Sequence, residues 1–466
     1  MIILDKEIAL EELRDKISNF WELSGRKILS IDNIYDHSKG SPVFTIDGKY
    51  TSRGWTEWTQ GFEYGSSLLQ FDATDENNYL KIGRVNTIKL MGPHISHMGV
   101  HDHGFNNLST YGNLLRLMHE GKIPQNDWEQ NFYELALKTS GAIQAGRWTN
   151  TQDGGFIYSF NGPHSLFVDT LRTIRIVVVS HLLGHSLKAE NDKTIDLLER
   201  AMIHARSTAD YSVYYGEGRD NYDEWGRTAH ESIFNSNDGN YRCPNSQQGY
   251  SGYTTWTRGL AWAMLGFSEE LELLETLPDT EKIGKFTKEE VINFSLKAAK
   301  ATCDFYINST PVDGIPYWDT GAPNLYKLGD YLSKPADPFN TFEPVDSSAA
   351  AIGAQGLLRL GKFLQNKEPE LANKYWQSGI TVLNTLLDEP YLSTTEDHQG
   401  ILLHSIYHQP NGWDYKPEKG KVAFGESSMW GDYHMRELVL YADKIIKKEK
   451  YYTFFGCIKN NPEYSG

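Results

Sequence analysis

Between Gln248 and Phe267 the chain reads Gln-Gly-Tyr-Ser-Gly-Tyr-Thr-Thr-Trp-Thr-Arg-Gly-Leu-Ala-Trp-Ala-Met-Leu-Gly-Phe. The front half has the Gly, Ser and Tyr content of a loop. The back half sets Ala, Leu and Met at helical spacing, with Thr254 or Thr255 as candidate N-cap, so a helix is expected to begin near Trp256. Arg258 and Trp262 then fall four residues apart on one face of its first turns and point toward whatever lies above the helix N-terminus. A guanidinium fork matched to a carboxylate, beside a flat indole face, describes a pocket for an acidic sugar. The plainer alternative is a core tryptophan beside a surface ion pair. His101-Asp-His103 has the residue types of a metal site, but two histidines flanking an aspartate still need a third ligand from elsewhere.

The elements that would position such residues are helices. Apolar periodicity and chain breakers mark twelve, near 5–23, 55–72, 76–91, 104–119, 126–145, 166–187, 193–208, 255–275, 287–308, 346–363, 368–387 and 429–446, and no convincing alternating strands. The odd-numbered segments are amphipathic and rich in Lys and Glu. The even-numbered ones are rich in Gly, Ala, Ser and aromatics with little charge on any face, which implies burial on both sides. Alternation of half-exposed outer and buried inner helices describes six hairpins closed into a ring, an all-α (α/α)6 barrel whose inner helices point their N-termini to one end. The unusual polar and aromatic residues cluster just before those inner helices, at Trp55-Thr-Glu-Trp58, His101-Asp-His103, Asp169, Gln248 to Trp256, Asp346-Ser-Ser348 and Trp430-Gly-Asp432, as one shared site requires. Long connections at 210–247, 314–345 and 408–426 are expected to wall it. No low-complexity linker interrupts residues 1–466, so a single domain is expected.

Composition narrows the partners. With Lys+Arg 45 against Asp+Glu 61, the formal net charge is -16, which repels nucleic acid. No apolar run is long enough to span a bilayer, and the N-terminus lacks a basic segment followed by an apolar one. Cys243, Cys303 and Cys457 are too few and too dispersed for a disulfide framework or a zinc motif. Reduced thiols point to the cytoplasm, or to the periplasm if a leader has been removed. Aromatics at 13%, with 12 Trp and 27 Tyr, suit a carbohydrate cleft as well as a large helical core. Nothing in the sequence speaks to oligomeric state.

The Gln248-to-Trp262 block, together with His101-Asp-His-Gly-Phe105, Val168-Asp169, Ile315-Pro-Tyr-Trp-Asp319, Asp346-Ser-Ser-Ala-Ala350, Gly400-Ile-Leu-Leu-His404 and Gly431-Asp-Tyr433, resembles the unsaturated glucuronyl hydrolases of glycoside hydrolase family 88. The likeness runs in order from about Trp55 to Tyr441. It implies an (α/α)6 barrel, no metal and no cofactor. The implied substrates are oligosaccharides left by polysaccharide lyases, ending in a uronate with a C4=C5 double bond, and the implied reaction is hydration of that bond. Asp169 matches the acid/base, with Asp102 as the second carboxylate that would perturb it. His230, Gln248 and Arg258 match substrate-holding groups, and Trp58 and Trp262 match ring-walling residues. The plain reading of Asp169 is a helix N-cap, and that of Ser347 and Ser348 is likewise capping.

Two features depart from the family. Thr-Leu-Arg-Thr follows Asp169, placing Arg172 one turn away, where it would either bind the uronate or depress the Asp169 pKa. The stretch 210–223 is expanded. The rival readings are an unsaturated rhamnogalacturonyl hydrolase, a two-carboxylate glycosidase using Asp102 and Asp169, a polysaccharide lyase, and a noncatalytic sugar-binding protein.

Overall fold

A computed structural model describes residues 1–4, 8–52, 58–418, 420–449 and 451. The expectations placed on Trp55, Thr56, Glu57 and Cys457 lie outside them. Among the described residues the helices fall close to the segments that periodicity marks. They are α1 Arg14–Ile34, α2 Gln60–Thr74, α3 Asn77–Leu90, α4 His103–Asn107 running on through Leu108–Gly112 and Asn113–His119, α5 Asp127–Gly146, and α6 Thr170–Thr173 with Arg175–Leu182. The second half continues with α7 Leu197–Tyr211, α8 Thr257–Thr276, α9 Lys288–Ser309, α10 Ser347–Leu364, α11 Pro369–Leu386 and α12 Met429–Ile446.

The even-numbered helices form a closed inner ring: α2 packs on α4, α4 on α6, α6 on α8, α8 on α10, α10 on α12, and α12 back on α2. Each carries an outer partner, the closest being α3 on α2, α5 on α6, α9 on α8 and α11 on α10. Low charge explains the burial of the inner set, and small residues explain its tightness. A Cβ at Gly61 would lie 2.3 Å from the carbonyl oxygen of Asn106, and one at Gly104 would lie 2.1 Å from that of Thr173. Neighbouring inner helices therefore touch backbone to backbone just where the site-bearing turns begin.

Three expectations need correction. The first helix runs over 14–34, preceded by a 3-10 turn at Leu10–Leu13, rather than over 5–23; Ile17, Phe20, Trp21, Ile28 and Ile31 supply its buried face. Helix α8 has Trp256 at its N-cap, while Thr255 spends its hydroxyl accepting from the Thr228 amide at 3.1 Å. Finally, four small sheets are present. Their strands span two to five residues, too short for alternation to show in the sequence. One matters for the site: Ser165–Phe167 pairs antiparallel with Glu231–Phe234, which pairs with Tyr241–Asn245. This sheet ties the long 210–247 connection to the residues immediately before Asp169. No helix among the described residues is long and apolar enough to cross a membrane.

Candidate active site

The N-terminal ends of the inner helices open on a pocket of about 200 Å³, lined by Trp58, His101, Asp102, Phe105, Phe160, Phe167, Asp169, Gln247, Gln248, Trp256, Arg258, Trp262, Tyr407, His408, Asn411 and Trp413. Trp58 precedes α2, Asp102 is the residue before α4, Asp169 the residue before α6, and Arg258 sits in the first turn of α8. The floor is aromatic, with Phe105 against Trp262 at 4.8 Å and Trp58 stacked on Trp430 at 4.9 Å between ring centroids.

Asp169 holds an N-cap position, yet its side chain makes no capping hydrogen bond. The carboxylate turns instead to His101, whose Nε2 lies 3.2 Å from Asp169 Oδ1 and 3.8 Å from Asp102 Oδ1. Asp102 likewise does not cap α4 with its side chain. The two carboxylates that the sequence pairs directly are thus linked through an imidazole, which is itself buried. Burial, the largest influence on Asp169, pushes its carboxyl up; the hydrogen bond from His101 and the proximity of His101, His230 and Arg258 outweigh it and leave it below the ordinary aspartate value. The raised pKa that a proton donor here calls for is therefore not the resting condition of this residue.

His230 lies just behind the lining, its ring 4.4 Å from Phe167 and 4.7 Å from Trp256. Its Nδ1 accepts from the amides of Gln247 (3.0 Å) and Gln248 (3.3 Å), which places the proton on Nε2. That Nε2 is buried without a hydrogen-bond partner. Burial also pushes His230 down to about 4, so it stays neutral. Glu231, next in the strand, accepts from Gln247, Asn245, Asn161 and Ser165, and fixes the loop that carries both glutamines.

Arg258 is buried, and its fork is already engaged. Nη1 reaches Asp346 Oδ2 at 3.0 Å and the carbonyl of Ile406; Nη2 reaches Gln248 Oε1 at 3.0 Å and the Tyr407 carbonyl at 2.8 Å. The guanidinium that the sequence offers to a carboxylate therefore acts as a strut between Gln248, α10 and the 406–414 loop. Asp346, rather than Ser347 or Ser348, caps α10, accepting from the Ser348 amide at 3.0 Å. In the loop, Asp414 accepts from the amides of Tyr407 and His408, presenting His408, Asn411 and Trp413 to the pocket.

Arg172 is elsewhere. It is 1% exposed, with Nε 2.9 Å from Glu269 Oε2 and Nη2 3.0 Å from Glu437 Oε2, and it does not line the pocket. Neither role the sequence suggested for it, uronate contact or depression of Asp169, fits this position. His103 also turns inward, bonding Ser140 Oγ at 2.9 Å and the His97 carbonyl at 2.8 Å, so the two histidines flanking Asp102 do not converge.

Sequence reasoning missed His101 as the link between the carboxylates and left the pocket residues of the 407–413 loop unassigned. Each depends on a contact between segments distant in sequence. The one signal available was the run of His, Asp and His before an inner helix.

No family model matches the chain. It is 24% identical over 403 residues to the unsaturated glucuronyl hydrolase of Formosa agariphila (84% of this chain, 81% of that protein) and 25% identical over 395 residues to that of a Bacillus species (84% and 88%). Its fold matches the crystal structure of unsaturated glucuronyl hydrolase from Streptococcus agalactiae with a TM-score of 0.69 at 19% identity, covering 97% of this chain and 95% of that one. An unsaturated glucuronyl hydrolase specific for heparin matches with a TM-score of 0.69 at 20% identity, covering 94% and 100%. With a shared (α/α)6 barrel and relatives matched across more than four-fifths of their own length, the chain is similar throughout to unsaturated glucuronyl hydrolases.

Proposed function

We propose that this protein is an unsaturated glucuronyl hydrolase, with residues 1–466 as one catalytic unit and lyase-generated acidic oligosaccharides as its substrates. The observation that carries the reading is the uncapped, buried carboxylate of Asp169, joined through His101 to Asp102 at the mouth of an aromatic pocket sized for one sugar ring. A structural N-cap would bond its own helix; this one faces the pocket.

In the reaction, Asp169 in its acid form gives its proton to C4 of the double bond and becomes a carboxylate. Water adds at C5 and returns a proton to Asp169, so the acid is restored and the net change is addition of one water across C4=C5. The hemiketal formed at C5 then opens and releases the remaining sugar. Asp169 must be protonated to begin. A uronate carboxylate entering the pocket adds a like charge and excludes water, and both effects raise an aspartate pKa. The Nε2–H of His230 has no hydrogen-bond partner among the described residues, and this reading assigns it as donor to substrate or to the attacking water. Gln248, held by Arg258, presents its amide to sugar hydroxyls. Trp58, Trp262 and Trp256 wall the ring.

The relatives support this chemistry: one structure of similar fold is an aspartate-to-asparagine variant with dGlcA-Glc-Rha-Glc, and three streptococcal relatives are named unsaturated chondroitin disaccharide hydrolases. The test is ultraviolet absorbance of lyase products from several acidic polysaccharides. Loss of the conjugated C4=C5 chromophore with the parent and not with Asp169→Asn is expected. Persistence of the chromophore on every fragment would leave the two-carboxylate glycosidase as the better reading, and its appearance on intact polymer would make the protein a lyase.

A further inference from the structure

Asp169 has to hold a proton at the start of each turnover, yet its nearest neighbour, His101, is a base that could hold that proton instead. Where the proton rests is decided by what touches the imidazole. The Nε2 of His101 faces Asp169 Oδ1 at 3.2 Å and Asp102 Oδ1 at 3.8 Å. On the other side of the ring, Nδ1 accepts the backbone N–H of Phe160 at 3.3 Å. The ring cannot swing to escape either contact: Phe160 lies over one face (6.2 Å between centroids, 20° between planes) and Phe167 meets it edge-on at 5.6 Å. An imidazolium carries a proton on Nδ1 as well, and there it would point at the Phe160 amide hydrogen, replacing an attraction by a repulsion.

We infer that His101 is a positioning residue whose tautomer, locked by the Phe160 amide, denies the catalytic proton a place on the imidazole, so that Asp169 is the group that carries it. The Nε2–H donates to Oδ1 throughout the cycle, and the other carboxylate oxygen carries the transferable proton toward C4. Asp102 lies 3.8 Å from the same Nε2. The groups that face the pair are few. His101 meets Asp102, Asp169, Arg147 and the neutral His204, and Asp169 meets His101, His230 and Arg258. The two carboxylates outweigh burial and push His101 above the ordinary histidine value; what stands against them is the Phe160 N–H, which already occupies Nδ1.

The inference rests on the hydrolase reading, but its first test needs no substrate. In protein labelled with ¹⁵N-histidine, the His101 ring is expected to show a bare Nδ1 and a protonated Nε2 from pH 5.5 to 8. The signal is assigned by its loss in His101→Gln, or through the Overhauser contact to the Phe160 amide if that variant does not fold. An imidazolium signal at a pH where the enzyme turns over would overturn the proposal. The second test is the pH profile of kcat. His101→Ala removes the donor to Asp169, so the alkaline limb is expected to move up by at least one pH unit while kcat falls at least tenfold. His101→Gln keeps an N–H donor and is expected to stay within a few-fold of the parent with the limb near its original place. A limb that stays put in both variants would reduce His101 to a packing residue. Failure of every unsaturated uronide to react would remove the hydrolase reading while the tautomer measurement still stood.

Discussion

Two buried clusters of charge occupy the same barrel, and they are built on different rules. The deeper one lies further along the inner helices and sets each cation against a carboxylate. Arg172 bonds Glu269 and Glu437, Arg175 bonds Glu269 at 3.1 Å, and Arg359 bonds Glu272 at 2.8 Å. At the mouth, two carboxylates share one imidazole, and His230 keeps an unpartnered Nε2 against the pocket wall. The difference separates a cluster of opposite charges enclosed between inner helices from one whose carboxylates line a pocket. Arg172 and Asp169 are one turn apart in sequence and belong to opposite sides of that division.

Substitutions at these two positions should therefore fail in opposite ways. Asp169→Asn is expected to lower kcat by at least about 10³-fold, since Asp102, the other carboxylate at the pocket mouth, is linked to it through His101 and does not take its place. Its melting temperature should stay within a few degrees of the parent. Arg172→Met is expected to cost roughly 3–5 kcal/mol of stability in urea unfolding, because it leaves Glu437 and part of Glu269 buried without their cation. Adding Glu437→Gln to Arg172→Met should recover a good part of that loss. If the Arg172 variant instead stayed fully stable and lost only activity, the deeper cluster would have to be counted as part of the site.

Arg258 bridges the two kinds of region, since it is buried and fully bonded yet lines the pocket. Arg258→Lys keeps the charge but cannot serve Asp346, Gln248 and two carbonyls at once. A drop in kcat/KM of about 10²-fold is expected, shared between KM and kcat because both Gln248 and the 406–414 loop lose their anchor. An effect on KM alone would indicate that the guanidinium does contact the uronate directly, as its place beside Trp262 in the sequence suggested.

The parts legible in the sequence were those carried by local pattern. The alternation of charged and small-residue helices gave the ring, and the polar residues just ahead of each inner helix gave the end at which the site lies. The acidic stretch over 5–12, Asp-Lys-Glu-Ile-Ala-Leu-Glu-Glu, imitated an amphipathic turn and drew the first helix too early. Arg172 was misread because its spacing from Asp169 is visible, whereas its partners Glu269 and Glu437 come from other inner helices. His101 stands beside Asp102 in sequence but meets Asp169 only after α4 and α6 pack, so its role as the link was out of reach.

The smallest expected effect concerns pH and sharpens the same division. Burial pushes His204, behind the mouth, down to about 3, and His434, between Trp262 and Glu437, down to about 4. Both are neutral in the folded protein and take up a proton on unfolding once the pH is below the ordinary histidine value near 6.5. The unfolded chain then binds more protons than the native one, so the stability due to each histidine falls as pH drops from about 6.5 toward its folded value. The loss is up to about 1.4 kcal/mol per pH unit for each. A His204→Gln variant should escape its share: between pH 6.5 and 5.5 its unfolding free energy should decline by about 1 kcal/mol less than that of the parent. Among the described residues His204 forms no ion pair with a carboxylate, Asp169 acting on it only from a distance, and its Nδ1 accepts from the Ile157 amide at 3.1 Å. His434 has Glu437 within 4.0 Å, and protonation there can be partly offset by that carboxylate. The corresponding His434→Gln difference should accordingly be the smaller of the two, and an equal difference would mean that Glu437 is fully committed to Arg172.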